Sequence, residues 1–498
     1  MDESREVIRL HDEYQIEAKL DYELHRTRRK ERYAVEYFFF LPENLDVNEQ
    51  TYTKKQFYRD MLLYIRFKAP ELSLAELEDP SVERSPLRRL RAKLDVYKLD
   101  PVPANAAALE YELKILACVL KDALADKRKA FERAWGSHPA EAGKVVTDTL
   151  DGARAVAGRF RDMGPLFEDP SLPPSLRSAY GFVDEYVSLL IEGDAHRILQ
   201  ALQDAPSAVP GAPEQLAALI REELEHRRAR RYPSIPEDGK NNEVFIFRLG
   251  VLKKFVSDAL HLSVRTEKEG RGIEQVGLAL GAGFAMLFFS AVAFYTQRTY
   301  GALSFYFMAA VVVGYMFKDR IKALAQNYVL RFRSDRIMDL STDLYDPASR
   351  EKIGACRELV HFVPESRVDP VVVRLRNRDH ITEIENMWRA EKVLHYVKEI
   401  GLSPRRLDRH SRKSALTDIA RFNLRNVLLK MDEPEKEILV LDGGRSKTVV
   451  GTRVYHLNLV IKFTDQFRIR YDRVRLVLDR NGIKRVEPVS GESHELPS

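Results

Sequence analysis

The chain opens with a regular alternation of apolar and polar residues. In EYQIEAKLDYELHR (13–26), Ile16, Leu20 and Tyr22 share one side, while Lys19 and its polar neighbours take the other. A period of two predicts a half-buried strand, and RYAVEYFFFLP (32–42) predicts a second, more apolar one. Two strands alone are marginally stable. We therefore expect an N-terminal β-hairpin within residues 1–50, with the hypothesis that it joins a sheet formed near the C-terminus.

A helical period of apolar residues dominates residues 51–270. TKKQFYRDMLLYIRF (53–67) has Phe57, Met61 and Ile65 at helical spacing, and residues 105–135 predict one long amphipathic helix. Further helical patterns separated by proline-bearing breaks follow at 140–163, 175–202 and 213–232. The sequence therefore predicts a mainly helical cytosolic region over 51–270.

The longest apolar stretches lie in the middle of the chain. Val276–Gln297 and Thr299–Phe317 are uncharged over 22 and 19 residues, with Arg298 between them. At about 1.5 Å per residue each helix would be roughly 28–33 Å long, close to the hydrocarbon thickness of about 30 Å. A charge at the bilayer centre costs about 2.5–3.5 kcal/mol. We therefore predict a transmembrane helical hairpin over 276–317, with Arg298 in its extracytoplasmic turn.

Charges beside the hairpin predict its orientation. Lysines and arginines cluster on both flanks, so both termini are expected in the cytosol, at the inner membrane. Small residues recur at every fourth position on each helix, which allows close helix packing, either within one chain or between copies. These residues are Gly277, Gly281, Ala285, Ala310 and Gly314. The alternative is a helical pair buried in a soluble core, although two such long uncharged helices in succession are rare there.

Residues 318–489 mix helical and strand patterns. DPVVVRLRN (369–377) predicts a strand, 380–401 predicts an amphipathic helix, and 415–431 fits either structure. The end predicts antiparallel strands around Asp442-Gly443-Gly444, then a hairpin with a type I′ turn at Asn481-Gly482. Residues 490–498 are expected to be a disordered tail. The predicted fold is an α+β membrane protein, with an α+β cytosolic region after the hairpin.

Charge and cysteine content exclude some classes of protein. The 498 residues include 80 Lys and Arg against 75 Asp and Glu, a net charge of +5, which is too weak a bias to indicate nucleic acid. Cys118 and Cys356 are the only cysteines, which excludes a disulfide framework and an all-cysteine metal site. The first residues contain no apolar core of signal-peptide length, so no cleaved leader is expected. No pattern indicates a cofactor.

One basic segment is a candidate binding site. SPRRLDRHSRKS (403–414) could contact anionic headgroups, at about 1 kcal/mol per residue close to the surface, or an unknown protein partner. A solvated loop is the simpler interpretation. The basic residues are Arg405, Arg406, Arg409, Arg412 and Lys413.

Catalytic patterns are weak. GGRSKT (443–448) lacks the glycine before the lysine and the following helix that a phosphate loop requires. His380 and Glu383 lie one predicted helical turn apart, without a third converging ligand. The sequence therefore favours a membrane-anchored scaffold or sensor. One alternative is an enzyme acting on lipid or nucleotide at the membrane face, using His380, Glu383 or His456, and a second is an oligomeric pore.

Overall fold

Antiparallel sheets and a layer of helices form an α+β structure, described here from a computed structural model. It describes residues 8–25, 28–135, 138–203, 209–269, 271–301, 304–334, 338–346, 350–377, 391–404 and 415–495. The strands are β1 (Ile8–Leu10), β2 (Gln15–Glu23), β3 (Glu31–Pro42), β4 (Met61–Phe67), β5 (Ser263–Lys268), β6 (Leu340–Tyr345), β7 (Lys352–Val363), β8 (Glu391–Leu402), β9 (Ala415–Asn423), β10 (Glu435–Asp442), β11 (Arg445–Thr452), β12 (Tyr455–Thr464), β13 (Arg468–Asp479) and β14 (Gly482–Glu495).

Most helices lie between β4 and β6 in the chain. They are α1 (Lys54–Asp60), α2 (Leu74–Glu78), α3 (Pro86–Leu99), α4 (Pro103–Trp135), α5 (Pro139–Asp162), α6 (Gly164–Phe167), α7 (Pro174–Gln203), α8 (Ala212–Ala229), α9 (Glu243–Ser257), α10 (Arg271–Tyr300), α11 (Phe305–Ser334), α12 (Pro370–Arg376) and α13 (Arg425–Leu428). The predicted long helix over 105–135 is α4, whose apolar side, including Leu113 and Leu120, is fully buried against its neighbours.

The strands form two large sheets that combine both ends of the chain. One has the order β1-β2-β9-β4 and the other β14-β13-β12-β3-β8-β7-β6-β5, while β10 and β11 form a separate ribbon. The two early strands do not form the predicted hairpin with each other, because β2 lies in the first sheet and β3 in the second. Each of them pairs with a strand from near the C-terminus, as hypothesised, since β3 lies beside β12 and β2 lies beside β9. Each early strand thereby gains the partners that a lone hairpin lacks.

An aromatic core fills the space between the two large sheets. Tyr37 and Phe39 on β3 each lie 5.1 Å, centroid to centroid, from Phe422 on β9. Tyr396 on β8 is 5.7 Å from Tyr37, and Phe57 on α1 closes one side of the cluster. All five rings are buried, and aromatic pairs at such distances add about 0.5–1.5 kcal/mol beyond area burial.

Three local predictions were wrong. Residues 61–67 form strand β4 instead of continuing a helix, because sheet pairing with β9 outweighs the helical spacing. Residues 370–376 form helix α12 instead of a strand, since the Asp369 side chain caps it and Pro370 occupies its first position. Residues 391–402 form strand β8 at the centre of the large sheet instead of the end of a helix. Residues 378–390 lie outside the described residues.

The predictions for residues 415–498 were correct in part. Residues 415–431, which fitted either structure, form strand β9 followed by the short helix α13. Two strands do pair around Asp442-Gly443-Gly444, but the second ends at Thr452, and the residues from Tyr455 form the separate strand β12. The type I′ turn was wrong, because Asp479 pairs with Gly482, so Arg480 and Asn481, without positive φ, form the loop. The disordered tail was also wrong for residues 490–495, which belong to β14, while 496–498 lie outside the described residues.

Candidate functional site

Helices α10 and α11 form an antiparallel pair that contacts through small residues. A Cβ added at Gly281 would lie 2.8 Å from the Ala325 Cβ, so the glycine permits this close approach. A Cβ at Gly314 would lie 3.4 Å from the Phe289 ring on the opposite helix. Of the other predicted packing residues, Ala285 is buried and Ala310 is half-buried. Gly277 lies in α10, and its burial is not among the features that the structure describes.

The outer surface of this pair is apolar and exposed. Phe284, Leu287 and Phe294 on α10 are 69%, 68% and 72% exposed, and Phe305 on α11 is 81% exposed. Contiguous apolar surface of this kind marks interaction with a membrane or another protein. Among the described residues, one helical segment, Ala279–Tyr300, has the length and composition to cross a membrane. Two passes therefore remain a prediction.

The turn between these helices lies later than the sequence predicted. Gly301 has a φ of +79° and ends α10, so Thr299 and Tyr300 belong to the first helix. Arg298 lies exposed in the last turn of α10, where a cation suits the helix dipole, rather than in the turn itself. The uncharged part of α11 is thus Phe305–Phe317, about 20 Å long and shorter than a bilayer core.

Most of the other predicted site residues fall outside the part of the chain that the structure describes. Arg405, Arg406, Arg409, Arg412 and Lys413, with His380 and Glu383, lie outside the described residues. His456 lies half-buried on β12 and is not among the residues that line the cleft described next. In the described part of the chain, no group of three or more His, Cys, Asp or Glu side chains is placed to hold a metal ion.

A polar cleft of about 1490 Å³ separates helix α4 from the sheets. One wall is α4, from Asp122 to Arg133, and the opposite wall is the β12–β13 connection with Phe463 and Phe467. Its base includes Lys19 and Asp21, the polar side of β2 that the alternating pattern predicted. Ala415 at the start of β9 also lines the cleft.

Charges of both signs line this cleft. Arg28 lies over the Phe467 ring at 4.5 Å and hydrogen-bonds to Gln466, which fixes one rim. Several of the other charges are paired locally, as in Lys129 with Asp126 at 3.3 Å and Arg468 with Asp465 at 3.4 Å. The Lys129–Asp126 pair is exposed on both sides, and such pairs are worth about 0–1 kcal/mol, so these two charges can exchange partners for those of a bound segment at little cost.

One part of the cleft contains buried charged groups whose partners do not fully compensate for their burial. The Arg66 Nε is buried and has no hydrogen-bond partner among the described residues. Burial raises the pKa of nearby Asp122, an effect that the charges of Lys121 and Arg66 only partly offset. Burial, together with Lys253 and Arg66, lowers the pKa of Lys121. A ligand that supplied a hydrogen-bond acceptor to Arg66 would remove an unsatisfied donor, which costs about 1–3 kcal/mol.

A buried ion pair lies next to the cleft and joins the two large sheets. Lys398 on β8 and Asp418 on β9 are 0% and 1% exposed and form a salt bridge between the two sheets. The Tyr22 hydroxyl, whose ring lines the cleft, donates to Asp418 Oδ2 at 2.9 Å. Burial and the Asp418 charge raise the pKa of Tyr22 well above its usual value, so the hydroxyl stays a donor. The two sheets are therefore joined by charge as well as by apolar packing.

Sequence reasoning missed the cleft and the buried pair. The sequence pattern predicts a helix around Lys398 and leaves the segment that contains Asp418 open, so no periodicity brings the two residues together. The available signal was the alternation of β2, because a polar side on a strand indicates an open surface or a second polar layer. The cleft itself arises from parts of the chain separated by hundreds of residues.

The fold and the site define an α+β protein with antiparallel sheets, an exposed apolar helical pair and a polar cleft. No protein-family model, curated protein or solved structure matches the chain.

Proposed function

We propose that this protein is a membrane-anchored scaffold or sensor at the cytosolic face of the inner membrane. In this proposal α10 and α11 anchor the chain, and the cleft receives a segment of a protein partner that carries charges of both signs. The main support for this proposal is the exposed apolar surface of α10 and α11, because the exposure of apolar side chains to water is unfavourable in free energy.

The connection of the hairpin to the sheet supports a fixed anchor. Strand β5 precedes α10 and strand β6 follows α11, and the two strands pair over six residues, from Ser263↔Tyr345 to Lys268↔Leu340. Both chain ends of the hairpin thus leave the same edge of the eight-stranded sheet. This arrangement suits a module whose cytosolic body is held at a defined position beside a bilayer.

Two passes are compatible with the short apolar part of α11 if its basic residues reach the headgroups. Lys318, Arg320 and Lys322 follow the apolar part, and long basic side chains extend toward the interface while their stems stay in the hydrocarbon. A band of about 20 Å can also be accommodated by local thinning of the bilayer. Arg298 then lies at the extracytoplasmic interface.

Labelling of single cysteines tests the anchor and its topology. Both native thiols are buried, and burial raises the pKa of Cys118 to about 12, so background reaction is low. Thr299→Cys should react with an impermeant maleimide added outside intact cells, whereas Leu99→Cys, which is 87% exposed in the native residue, should react only after lysis. Wild-type protein found in the supernatant after ultracentrifugation without detergent would refute the anchor. A Thr299→Cys protein in the pellet that is labelled only after lysis would refute the second pass.

Copurification in mild detergent tests the cleft. Lys129→Glu with Arg133→Glu reverses two exposed charges on the α4 wall and should reduce the partner recovered with the wild type. Arg88→Glu with Lys98→Glu is the matched control, because it makes the same charge change on α3, outside the cleft lining. Equal recovery from both variants would contradict the assignment of the cleft as the docking site.

The basic segment with Arg405, Arg406, Arg409, Arg412 and Lys413 remains a proposed contact for anionic lipid or for the partner. Ala415, the first described residue after this segment, lines the cleft, which supports a contact between the segment and the proposed partner. The enzyme and pore alternatives have no comparable observation in their favour.

A further inference from the structure

The ribbon of β10 and β11 projects from the body with apolar side chains uncovered. Leu439 and Leu441 are 72% and 79% exposed on one side, and Ile438 and Val440 are 48% and 38% exposed on the other. Every residue of β10 is exposed, and β10 pairs only with β11 in the part of the chain that the structure describes. A two-stranded ribbon in water is marginally stable, and its open edge is a template for another strand.

The base of the ribbon is firmly held. The Arg453 backbone N–H donates to the Pro434 carbonyl at 2.6 Å, which closes the ribbon where it leaves the body. Asp432 accepts hydrogen bonds from Arg453 and from the Tyr455 hydroxyl. At the tip, Gly443 and Gly444 have φ of +56° and +80°, as a tight two-residue turn requires. The ribbon is thus presented in a defined position.

The turn determines which backbone groups of β10 are free. Asp442 and Arg445 flank the two-residue turn as the closing hydrogen-bonded pair. Since hydrogen bonding alternates along an antiparallel strand, Ile438, Val440 and Asp442 bond to β11. The N–H and C=O groups of Glu437, Leu439 and Leu441 therefore point away from β11, toward the open edge.

A second β10 fits this edge with complementary charge. Antiparallel pairing centred on Leu439 places Leu439 opposite its own copy and uses the outward groups of Glu437, Leu439 and Leu441 on both strands. The same register places Lys436 of each copy opposite Asp442 of the other, with no like charges directly opposed.

We propose that two copies of this chain associate through β10, forming a four-stranded antiparallel sheet from two ribbons. The buried surface of two short strands is small beside the roughly 800 Å² per partner of a typical stable interface. Confinement of both copies to one membrane, which rests on the proposed anchor, raises their effective concentration and makes a small interface sufficient.

Register-specific cross-linking tests the association in the full chain. Leu439→Cys should form an intermolecular disulfide under mild oxidation, because directly opposite hydrogen-bonded residues have Cα atoms about 5.5 Å apart, within the disulfide range. Leu441→Cys is the matched control, since the two copies of residue 441 would be offset by four residues, roughly 13 Å along the strand. At least a fivefold higher yield at 439 is expected, and equal yields would overturn the proposal.

Charge reversal tests the register independently. In the Leu439→Cys background, Lys436→Glu would oppose Asp442 of the other copy and should lower the cross-link yield at least fivefold. Lys447→Glu makes the same charge change on β11, away from the paired edge, and should leave the yield unchanged. An equal effect of both changes would overturn the register. Fractionating the same samples separates the two proposals: pelleted protein without cross-links refutes the association alone, and cross-linked protein in the supernatant refutes the anchor alone.

Discussion

Replacing Lys398 by methionine tests the contribution of the buried charge between the sheets. Methionine nearly preserves the volume of lysine, so the change removes charge without a large cavity. Asp418 would then remain 1% exposed without its cation, with only the Tyr22 hydroxyl as a hydrogen-bond donor among the described residues. Breaking a buried pair from one side costs about 3–5 kcal/mol. We expect Lys398→Met to lower the free energy of unfolding by that amount.

Thermal unfolding of the full chain in mild detergent, followed by near-UV circular dichroism, measures this effect. A loss of about 3–5 kcal/mol corresponds to a fall in Tm of roughly 6–20 °C for a cooperative unit of 150–250 residues. Adding Asp418→Asn should recover most of the loss, because the charge is removed while the Tyr22 hydroxyl keeps an acceptor.

Lys392→Met on the same strand is the matched control. Lys392 is 41% exposed and forms a 3.7 Å ion pair with Glu43, so a change within about 0.5 kcal/mol is expected. Equal stability of the Lys398→Met and Lys392→Met proteins would refute the reasoning.

Two further substitutions test other parts of the sheets. Burial raises the pKa of Glu358 above its usual 4.5, although the Tyr396 hydroxyl donates to it, so the charged form is disfavoured in the folded state. Glu358→Gln should therefore raise the Tm at pH 7–8. The difference in Tm between the variant and the wild type should shrink as the pH falls through the folded-state pKa of Glu358, and it should vanish below pH 4.5. A constant difference in Tm across this pH range would contradict the raised pKa. A Cβ at Gly354 would overlap the Gly401 carbonyl oxygen, so Gly354→Ala should lower the free energy of unfolding by about 1–3 kcal/mol. Gly401→Ala should lower it less, because the nearest atom to a Cβ at Gly401 would be 4.0 Å away. Equal denaturation midpoints of the two variants would contradict the close approach at Gly354.

Local patterns predicted elements best where one interaction dominated. Strand β2 shows a clean alternation, since Ile16, Leu20 and Tyr22 on one side are buried, while Lys19 and Asp21 on the other side border the cleft. Helix α4 kept its predicted extent because its apolar side is buried along its length. Strand β8 does not show its period of two in the sequence, because the charged Lys398 occupies a buried position while the apolar Val397 lies half-buried on the other side. Pairing with β9 made 61–67 a strand against its local helical spacing.

The sequence by itself determined the long apolar segment of α10, the helical layer and the terminal antiparallel strands, because each follows from composition or periodicity within one short window. Only the tertiary structure decided that β2 lies beside β9, that Lys398 meets Asp418, and that a polar cleft opens beside α4. These features depend on contacts between residues far apart in the chain. Local pattern carries no information about such contacts, because the free energy that selects them comes from burial and charge pairing across the assembled sheets.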